Sequence, residues 1–188
     1  MNKSKLYILS LAICITASLT FYSFINFESS VEVPKYVGAE KCAGACHKSE
    51  LQGNQFGIWK ETKHSQAFNN LITPDADKIA IEKGFTTPAS ETPECLKCHT
   101  SQADVSLVTE TFNIKDGVQC ETCHGAGSEY KTISIMKDQP KAIENGLIIH
   151  TEKEKFCTQC HNSESPTFKS FDYETYWAQI KHMRPVKQ

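Results

Sequence analysis

The stretch Cys95-Leu96-Lys97-Cys98-His99 recurs as Cys120-Glu121-Thr122-Cys123-His124, so the chain repeats one short pattern, Cys-x-x-Cys-His. A third copy follows as Cys157-Thr158-Gln159-Cys160-His161, and a stretched copy comes first as Cys42-Ala43-Gly44-Ala45-Cys46-His47. This pattern is the attachment signature of c-type haem. Two thiols form thioether bonds to the haem vinyl groups, and the next histidine binds the iron as its proximal ligand. The sequence therefore predicts four covalently attached haem c groups, with Cys42, Cys46, Cys95, Cys98, Cys120, Cys123, Cys157 and Cys160 as attachment residues and His47, His99, His124 and His161 as proximal ligands.

Two other uses of paired cysteines compete with this interpretation. Zinc sites contain such pairs, but they seldom place a histidine directly after the second cysteine, as all four copies do here. Disulfides form in oxidising compartments, but they give no reason for the histidines. The first copy has one extra spacer residue, and Gly44 would let that longer loop bend without steric cost. Haem attachment is therefore favoured over both alternatives.

The length of 188 residues allows one domain after a leader, and we expect a leader over residues 1–30 and a haem domain over residues 31–188. Eight of the nine cysteines fall in the four motifs, which leaves only Cys14. Four haems would form a large apolar mass around which the chain wraps. We therefore expect a mainly α-helical fold with extensive loops, packed around haem, with little regular β-structure.

The net charge of −2 argues against one class of partner. The sequence has no basic stripe of the kind that binds nucleic acid, so no nucleic-acid partner is expected. The charge is consistent with a redox partner protein that carries a complementary basic patch. Attraction between the two charges would act mainly on the rate of association.

The first residues carry an export signal. Lys3 and Lys5 precede an apolar run from Leu6 to Phe27, which is typical of a segment that leaves its lysines in the cytoplasm. A signal-peptide core has ~7–15 apolar residues and a membrane span needs ~20, so a retained membrane anchor over residues 6–27 is favoured over a cleaved signal peptide. A lipoprotein site at Cys14 is weaker, because bulky Ile13 precedes it. All three alternatives place the body outside the cytoplasmic membrane, in the periplasm.

The rest of the chain predicts short helices and loops. The spacing of apolar residues and caps predicts helices over Ser49–Ile72, Asp75–Lys83 and Asp172–Lys181. Residues 128–147 also have helical character, interrupted at Pro140. The side chains expected to face inward there are Ile133, Met136, Ile143 and Leu147. A loop is expected over residues 85–94, and a hairpin or extended excursion over residues 103–114. Gly125 and Gly127 would let the backbone approach a porphyrin face, unless they form an ordinary turn.

Counting the histidines separates two kinds of function. Seven are present and four are assigned as proximal ligands, which leaves His64, His150 and His182 for four irons. A helix through Ser49–Ile72 would carry His64 about 25 Å from His47, so His64 should serve another haem. Met136 is the obvious substitute for the missing histidine. Fully ligated irons indicate electron transfer, whereas an iron with an open face permits chemistry on a small molecule.

Several further motifs resemble the cytochrome c-554 family of tetrahaem cytochromes. The resemblance covers roughly Lys41 to His182, and it rests on Lys41-Cys42…Cys46-His47-Lys48, Trp59-x4-His64-Ser65-x-Ala67, Gly117-Val118-x-Cys120-Glu121-x-Cys123-His124-Gly125-x-Gly127 and the late histidine, His182. It implies a mostly helical fold in which haems stack in close pairs and pass electrons between soluble or membrane partners.

The same resemblance implies a ligand map. His64 would be distal to the fourth haem and His182 distal to the third, while the second haem, on His99, would be five-coordinate. The first haem would take its ligand from the segment after Gly127, but the family's histidine has no counterpart there. Met136 is therefore favoured over His150 as that ligand.

Two functional hypotheses follow, with a zinc module as a distant third. The leading one is a periplasmic tetrahaem cytochrome that carries electrons between an unidentified donor and acceptor. The alternative is a redox enzyme acting on a nitrogen oxide such as nitric oxide at an open haem on His99, with no other catalytic residue assigned. The alternative depends on the family analogy more than on the residues.

Overall fold

The structure is a computed structural model that describes residues 32–44, 46–102 and 104–183. The elements given below belong to the compact unit Pro34–Gln188. The leader expected over residues 1–30 lies outside the described residues, so the anchor, the cleaved signal peptide and the lipoprotein site at Cys14 all stay predictions. No helix within the described ranges is both long enough and apolar enough to span a membrane.

Short helices joined by loops make up the described chain. The α-helices are α1 (Ala39–Cys42), α2 (Gln55–Lys60), α3 (Pro74–Glu82), α4 (Pro93–His99), α5 (Cys120–His124), α6 (Ile133–Met136), α7 (Gln139–Glu144), α8 (Lys153–Cys157) and α9 (Tyr173–Ile180). Five 3₁₀-helices lie between them, at Glu50–Gln52, His64–Leu71, Ala89–Glu91, Val105–Leu107 and Ile114–Asp116. The expected mainly α-helical fold with extensive loops is confirmed.

Two of the predicted helices are confirmed with their caps. Helix α3 begins after Thr73, whose Oγ1 accepts a hydrogen bond from the Ala76 N–H at 3.2 Å, and it is followed by Gly84 at φ +86°. Helix α9 begins after Asp172, whose Oδ1 accepts a hydrogen bond from the Thr175 N–H at 2.8 Å. Side chains of this kind satisfy the free N–H groups of a first helical turn and so stabilise both starts.

The single helix predicted over Ser49–Ile72 is wrong. A 3₁₀-helix, α2 and a second 3₁₀-helix occupy this stretch, because Gly53 and Asn54 adopt left-handed backbone conformations with φ of +97° and +41°. Asn54 then caps α2, with its Oδ1 accepting from the Gly57 N–H at 3.1 Å. The distance argument that assigned His64 to another haem assumed a continuous helix, so it loses its premise.

Some smaller expectations are met only in part. Over the described part of residues 103–114 there is no hairpin, and the extended alternative fits better, because Val108 forms an isolated parallel bridge with Tyr36. The helix is interrupted between α6 and α7, and Pro140 lies in the first turn of the helix that follows the break. Ile133 and Ile143 are exposed, and the fully buried side chain of this region is that of Ala142. The stretch from residue 85 to 94 is mostly loop, although it contains one short 3₁₀-helix and the start of α4.

The buried apolar side chains form two small clusters. One joins α3, α4 and two 3₁₀-helices through Phe68, Leu71, Ala80, Ala89 and Leu96. The other lies around α1 and α2 and consists of Ala39, Ala43 and Phe56, with Trp59 and Cys120 packed against it. Each cluster thus lies next to a Cys-x-x-Cys-His motif and supports the helix that carries it.

Candidate haem-attachment site

The four motifs lie in two pairs that are distant in sequence. In the first pair, motifs 42–47 and 120–124, Cys120 packs against the cluster of Ala39, Ala43 and Phe56, and the nearby Cys120 thiol raises the pKa of Cys42. In the second pair, motifs 95–99 and 157–161, burial and the nearby Cys98 thiol raise the pKa of Cys160. An ion pair between Lys97 Nζ and Glu164 Oε2, at 2.8 Å, also joins the second pair. The fold therefore brings the first motif to the third and the second to the fourth.

A buried carboxylate holds the first pair together. Glu121, between the two cysteines of the third motif, is fully buried. Its Oε1 accepts hydrogen bonds from the N–H groups of Val37 at 2.8 Å and Gly127 at 2.7 Å, and its Oε2 accepts one from Gly38 at 2.7 Å. Carboxylate oxygens that accept several N–H groups form strong, charge-assisted hydrogen bonds. Glu121 thereby fixes the residues that lead into α1 against the third motif.

A neighbouring amide adds to this contact. Gln119 Oε1 accepts from the Ala39 N–H at 2.7 Å, and its Nε2 donates to the Asn113 carbonyl at 2.9 Å. Gln119 is 2 % exposed, so both ends of its amide need such partners. Residues 37–39 are therefore held through successive N–H groups, and α1 starts directly from them.

The two glycines after the third motif make contacts of their own. A side-chain carbon at Gly125, which has a φ of +80°, would lie 2.7 Å from the Gly146 carbonyl oxygen. At Gly127 it would lie 3.0 Å from Glu121 Oε1 and 3.2 Å from Val37. Close packing within the polypeptide therefore accounts for both glycines, and their predicted approach to a porphyrin face is not needed to explain them.

Three of the predicted proximal histidines have a fixed tautomer. His99 Nδ1–H donates to the Ala67 carbonyl at 2.8 Å, and His124 Nδ1–H donates to the Ile148 carbonyl at 3.2 Å. His47 Nδ1–H donates to Gln55 Oε1 at 3.2 Å. Carbonyl oxygens only accept hydrogen bonds, so Nδ1 carries the proton and Nε2 keeps its lone pair. Metal-bound histidines in proteins have this arrangement, and these residues therefore fit a haem iron.

The structure brings two predicted distal histidines to their predicted partners. The rings of His64 and His161 have their centroids 5.9 Å apart, and so do the rings of His124 and His182. Imidazoles on opposite sides of one metal ion, with metal–nitrogen bonds of ~2 Å, have ring centres ~6 Å apart. Both pairs therefore match the spacing that a shared iron requires, while the ligand roles themselves stay predictions.

Burial keeps these imidazoles in the form that binds metal. Loss of solvent lowers the pKa of His47, His64, His124 and His161, and the proximity of His161 lowers the pKa of His64 further. A lowered histidine pKa favours the neutral ring at pH 7. Because only the neutral ring binds iron, these sites are prepared for ligation.

The two candidates for the remaining ligand lie in different surroundings. His150 stacks on Phe156, with 3.9 Å between ring centroids, and its Nε2 hydrogen-bonds to the Cys123 carbonyl at 2.9 Å. The free lone pair of His150 is therefore on Nδ1. Met136 is half-buried at the end of α6. The preference for Met136 over His150 stays a prediction.

Sequence reasoning missed three residues that shape the site. Glu121 and Gln119 hold the first pair, and Phe171 stacks on His161 with 4.8 Å between centroids and an interplanar angle of 13°. Glu121 and Gln119 bond to backbone groups about 80 residues away along the chain. No local pattern could have revealed those bonds. The aromatic stretch after Pro166 was the available signal for Phe171.

The alternative uses of cysteine find no geometry in the described part of the chain. There, no group of three or more His, Cys, Asp or Glu side chains is arranged to hold a metal ion, and no disulfide joins any of the eight motif cysteines. Before haem is attached, burial raises the pKa of the Cys123 thiol to about 11 and that of the Cys160 thiol to about 12, with Cys98 adding to the shift at Cys160.

Two thiols followed by a histidine with a free Nε2, repeated along a helical chain, are the haem site of a c-type cytochrome. Comparison with known proteins agrees: residues 41–125 match the family described as cytochrome c554 and c-prime. The chain is 27% identical to cytochrome c-554 of Nitrosomonas europaea over an alignment of 124 residues. The alignment covers 63% of this chain and 50% of that protein. The resemblance to the cytochrome c-554 family is thus confirmed, and that family implies covalently bound haem c.

The relationship covers only part of the relative. The chain spans about half the length of the curated protein that it matches. No solved structure matches the chain.

Proposed function

We propose that the protein is a tetrahaem cytochrome c that transfers electrons between redox partner proteins outside the cytoplasmic membrane. The observation that carries this proposal is the meeting of the motifs in two pairs, with His64 against His161 and His182 against His124. The cytochrome c-554 name of the relative supports the same activity.

The haems supply one-electron chemistry, and the chain's residues supply attachment and orientation. In each pair, a cysteine of one motif lies close enough to a cysteine of the other to raise its pKa, so two predicted attachment points are neighbours. The Nδ1–H bonds to Ala67, Ile148 and Gln55 fix the direction in which each proximal ring presents Nε2. Glu121 and Gln119 keep the first pair from separating, so neighbouring haems keep a constant distance for electron transfer.

Counting haem tests the proposal directly. We expect a pyridine haemochrome assay on the protein, made in a host that matures c-type cytochromes, to give four haems per polypeptide. A redox titration should then show several one-electron steps. Fewer than three haems per polypeptide would overturn the proposal.

The proposed location follows from the leader and from the family. Covalent haem attachment, an apolar run behind two lysines and the cytochrome c-554 relative all favour the periplasm. Fractionation of cells into periplasm, membrane and cytoplasm, followed by haem staining, tests it. We expect the stained band in the periplasmic or membrane fraction, and a band confined to the cytoplasm would contradict it.

A second candidate function is chemistry on a small nitrogen oxide at a haem on His99. The described residues place no second histidine ring against His99, in contrast to His161 and His124. An iron held there would keep one face free for a small ligand. This function requires a high-spin signal from the ferric protein and binding of carbon monoxide or nitric oxide to the reduced protein, and it fails if both are absent.

A further inference from the structure

Gln55 is a buried amide between two segments that carry predicted iron ligands. It is the first residue of α2 and is 7 % exposed. Its Oε1 accepts from His47 Nδ1 at 3.2 Å, and its Nε2 donates to the carbonyls of Gln52 at 2.6 Å and Met183 at 2.8 Å. Every polar atom of this side chain therefore has a protein partner.

The Met183 carbonyl extends these bonds to a second histidine. It also accepts a hydrogen bond from His182 Nδ1 at 3.4 Å. His47, Gln55, Met183 and His182 therefore form one continuous hydrogen-bonded series. His182 then presents its ring to His124 at 5.9 Å, in the third motif. The series runs from the predicted proximal ligand of the first haem to the predicted distal ligand of the third.

The backbone around Gln55 is shaped for this contact. A side-chain carbon at Gly53, where φ is +97°, would lie 3.0 Å from Gln55 Nε2 and 3.5 Å from Met183 Cβ. Asn54 then starts α2 from a left-handed conformation. Asparagine is one of the few residues besides glycine that adopt this conformation readily, so Asn54 suits this position. That geometry directs the amide of Gln55 towards both segments.

We propose that Gln55 is a positioning residue that couples the iron ligand His47 of the first haem to the iron ligand His182 of the third. This inference rests on the proposed tetrahaem function. An acceptor on the Nδ1–H of a ligating histidine orients the ring and raises its basicity. A more basic ligand stabilises the oxidised iron, so Gln55 lowers the reduction potential of the first haem. Through Met183, the same amide holds His182 in place on the third haem.

Two substitutions separate these roles. Gln55→Met removes both hydrogen bonds at nearly constant volume, so the first haem should rise in potential and the third should gain a high-spin fraction. Gln55→Glu keeps an acceptor for His47, now charged, but loses the donor to Met183. The first haem should then fall in potential, while the third again gains a high-spin fraction. We expect a change of about tenfold in the Fe(III)/Fe(II) ratio at fixed potential, which is ~59 mV for one electron.

The experiment is a redox titration followed by electron paramagnetic resonance on the full-length, haem-loaded protein. Gln139 is the matched control, because it is the first residue of α7 as Gln55 is of α2. Gln139→Met and Gln139→Glu should leave all potentials and spin states unchanged. His182→Ala marks the signal of the third haem, since it removes that ligand. Gln55→Glu preserves the size of the side chain, so the test does not depend on whether Gln55→Met matures.

The results decide between coupling and simple packing. Opposite shifts of one potential in the two Gln55 variants, together with high-spin iron at the signal marked by His182→Ala, would support the inference. Loss of stability with unchanged potentials and spin states overturns it, and so does a change confined to one haem. A haem count on the same wild-type sample separates the two proposals. Four haems with unchanged potentials reject the coupling alone, whereas fewer than three reject the tetrahaem function and the coupling with it.

Discussion

Glu121 holds the first pair of motifs through three N–H groups, and no water reaches its carboxylate because the side chain is fully buried. Because the site is buried, loss of one of these hydrogen bonds lowers the free energy of unfolding, since the N–H that remains has no alternative partner. Single side chains of this kind therefore decide whether two motifs that are distant in sequence stay together.

Replacing Glu121 by glutamine tests this directly. The amide –NH₂ would face an N–H donor, so at least one backbone group loses its acceptor. We expect Glu121→Gln to lower the free energy of unfolding by about 2 kcal/mol or more. Guanidinium denaturation of the haem-loaded protein measures the change. Glu129→Gln, at a nearby exposed carboxylate, should stay within about 0.5 kcal/mol of the wild type, and equal stability of the two variants would contradict the role of Glu121.

Gly117 fixes the position of His64. Its φ is +68°, and a side-chain carbon there would overlap the His64 carbonyl oxygen and lie 2.9 Å from the Ala67 nitrogen. Gly117→Ala should therefore displace His64 as well as strain the backbone. Gly84→Ala is the matched control, because Gly84 has a φ of +86° with open space around it.

We expect Gly117→Ala to cost at least ~1 kcal/mol more than Gly84→Ala, whose cost is backbone strain alone. The displacement of His64 should also convert part of the fourth haem to high spin. Thermal unfolding and electron paramagnetic resonance measure the two effects. Indistinguishable spectra and melting curves for the two alanine variants would show that Gly117 does not fix His64.

At the scale of helices, the sequence predicts starts well and continuity poorly. Apolar spacing predicts α9, and Gly84 marks the predicted end of α3, so both helices could be predicted from local signals. Their caps, Thr73 and Asp172, also act within three residues of themselves. The break at Gly53 and Asn54 was not predicted, although both residue types favour left-handed conformations, because the helical spacing over Ser49–Ile72 continues past them. The contact of Gln55 with Met183, 128 residues away, had no local signal.

The cap of α3 offers a simple test at this scale. Thr73→Ala should lower the stability of the haem-loaded protein by about 1 kcal/mol, because the Ala76 N–H loses its acceptor. Thr73→Ser retains the hydroxyl and should restore most of that loss. Denaturant titrations compare the three proteins. A serine variant as unstable as the alanine variant would show that the hydroxyl does not contribute.

For the whole molecule, the buried apolar core of the described residues is small. Its two clusters contain five and three buried side chains, and four of these eight are alanines. Ordering the backbone costs about 1–2 kcal/mol per residue, which clusters of this size cannot offset alone. We therefore expect attached haem to contribute much of the apolar interior.

We accordingly expect the chain made without haem attachment to be largely unfolded. Far-ultraviolet circular dichroism should show little helix and no cooperative melting, whereas the haem-loaded protein should melt in one transition. If the haem-free chain melts cooperatively near the temperature of the loaded protein, the polypeptide core is sufficient and this expectation is wrong.

The attachment motifs stay a prediction, and the sequence offers them because their chemistry requires a fixed local spacing of two thiols and a histidine. The pairing of these motifs could not be derived from the residues, since it involves contacts such as that of Lys97 with Glu164, 67 residues apart. The two opposed histidine pairs came from the family resemblance. Tertiary contacts of this range follow from the assembled fold and have no local pattern.

The two pairs also interleave along the chain, because the first motif meets the third and the second meets the fourth. If the chain were cut between residues 99 and 120, each fragment would contain one motif from each pair. Neither fragment would contain a complete pair. The Glu121 bond to Val37, 84 residues away, would cross that cut. We therefore expect neither half to be a self-sufficient module, so the predicted haem sites should form or fail together.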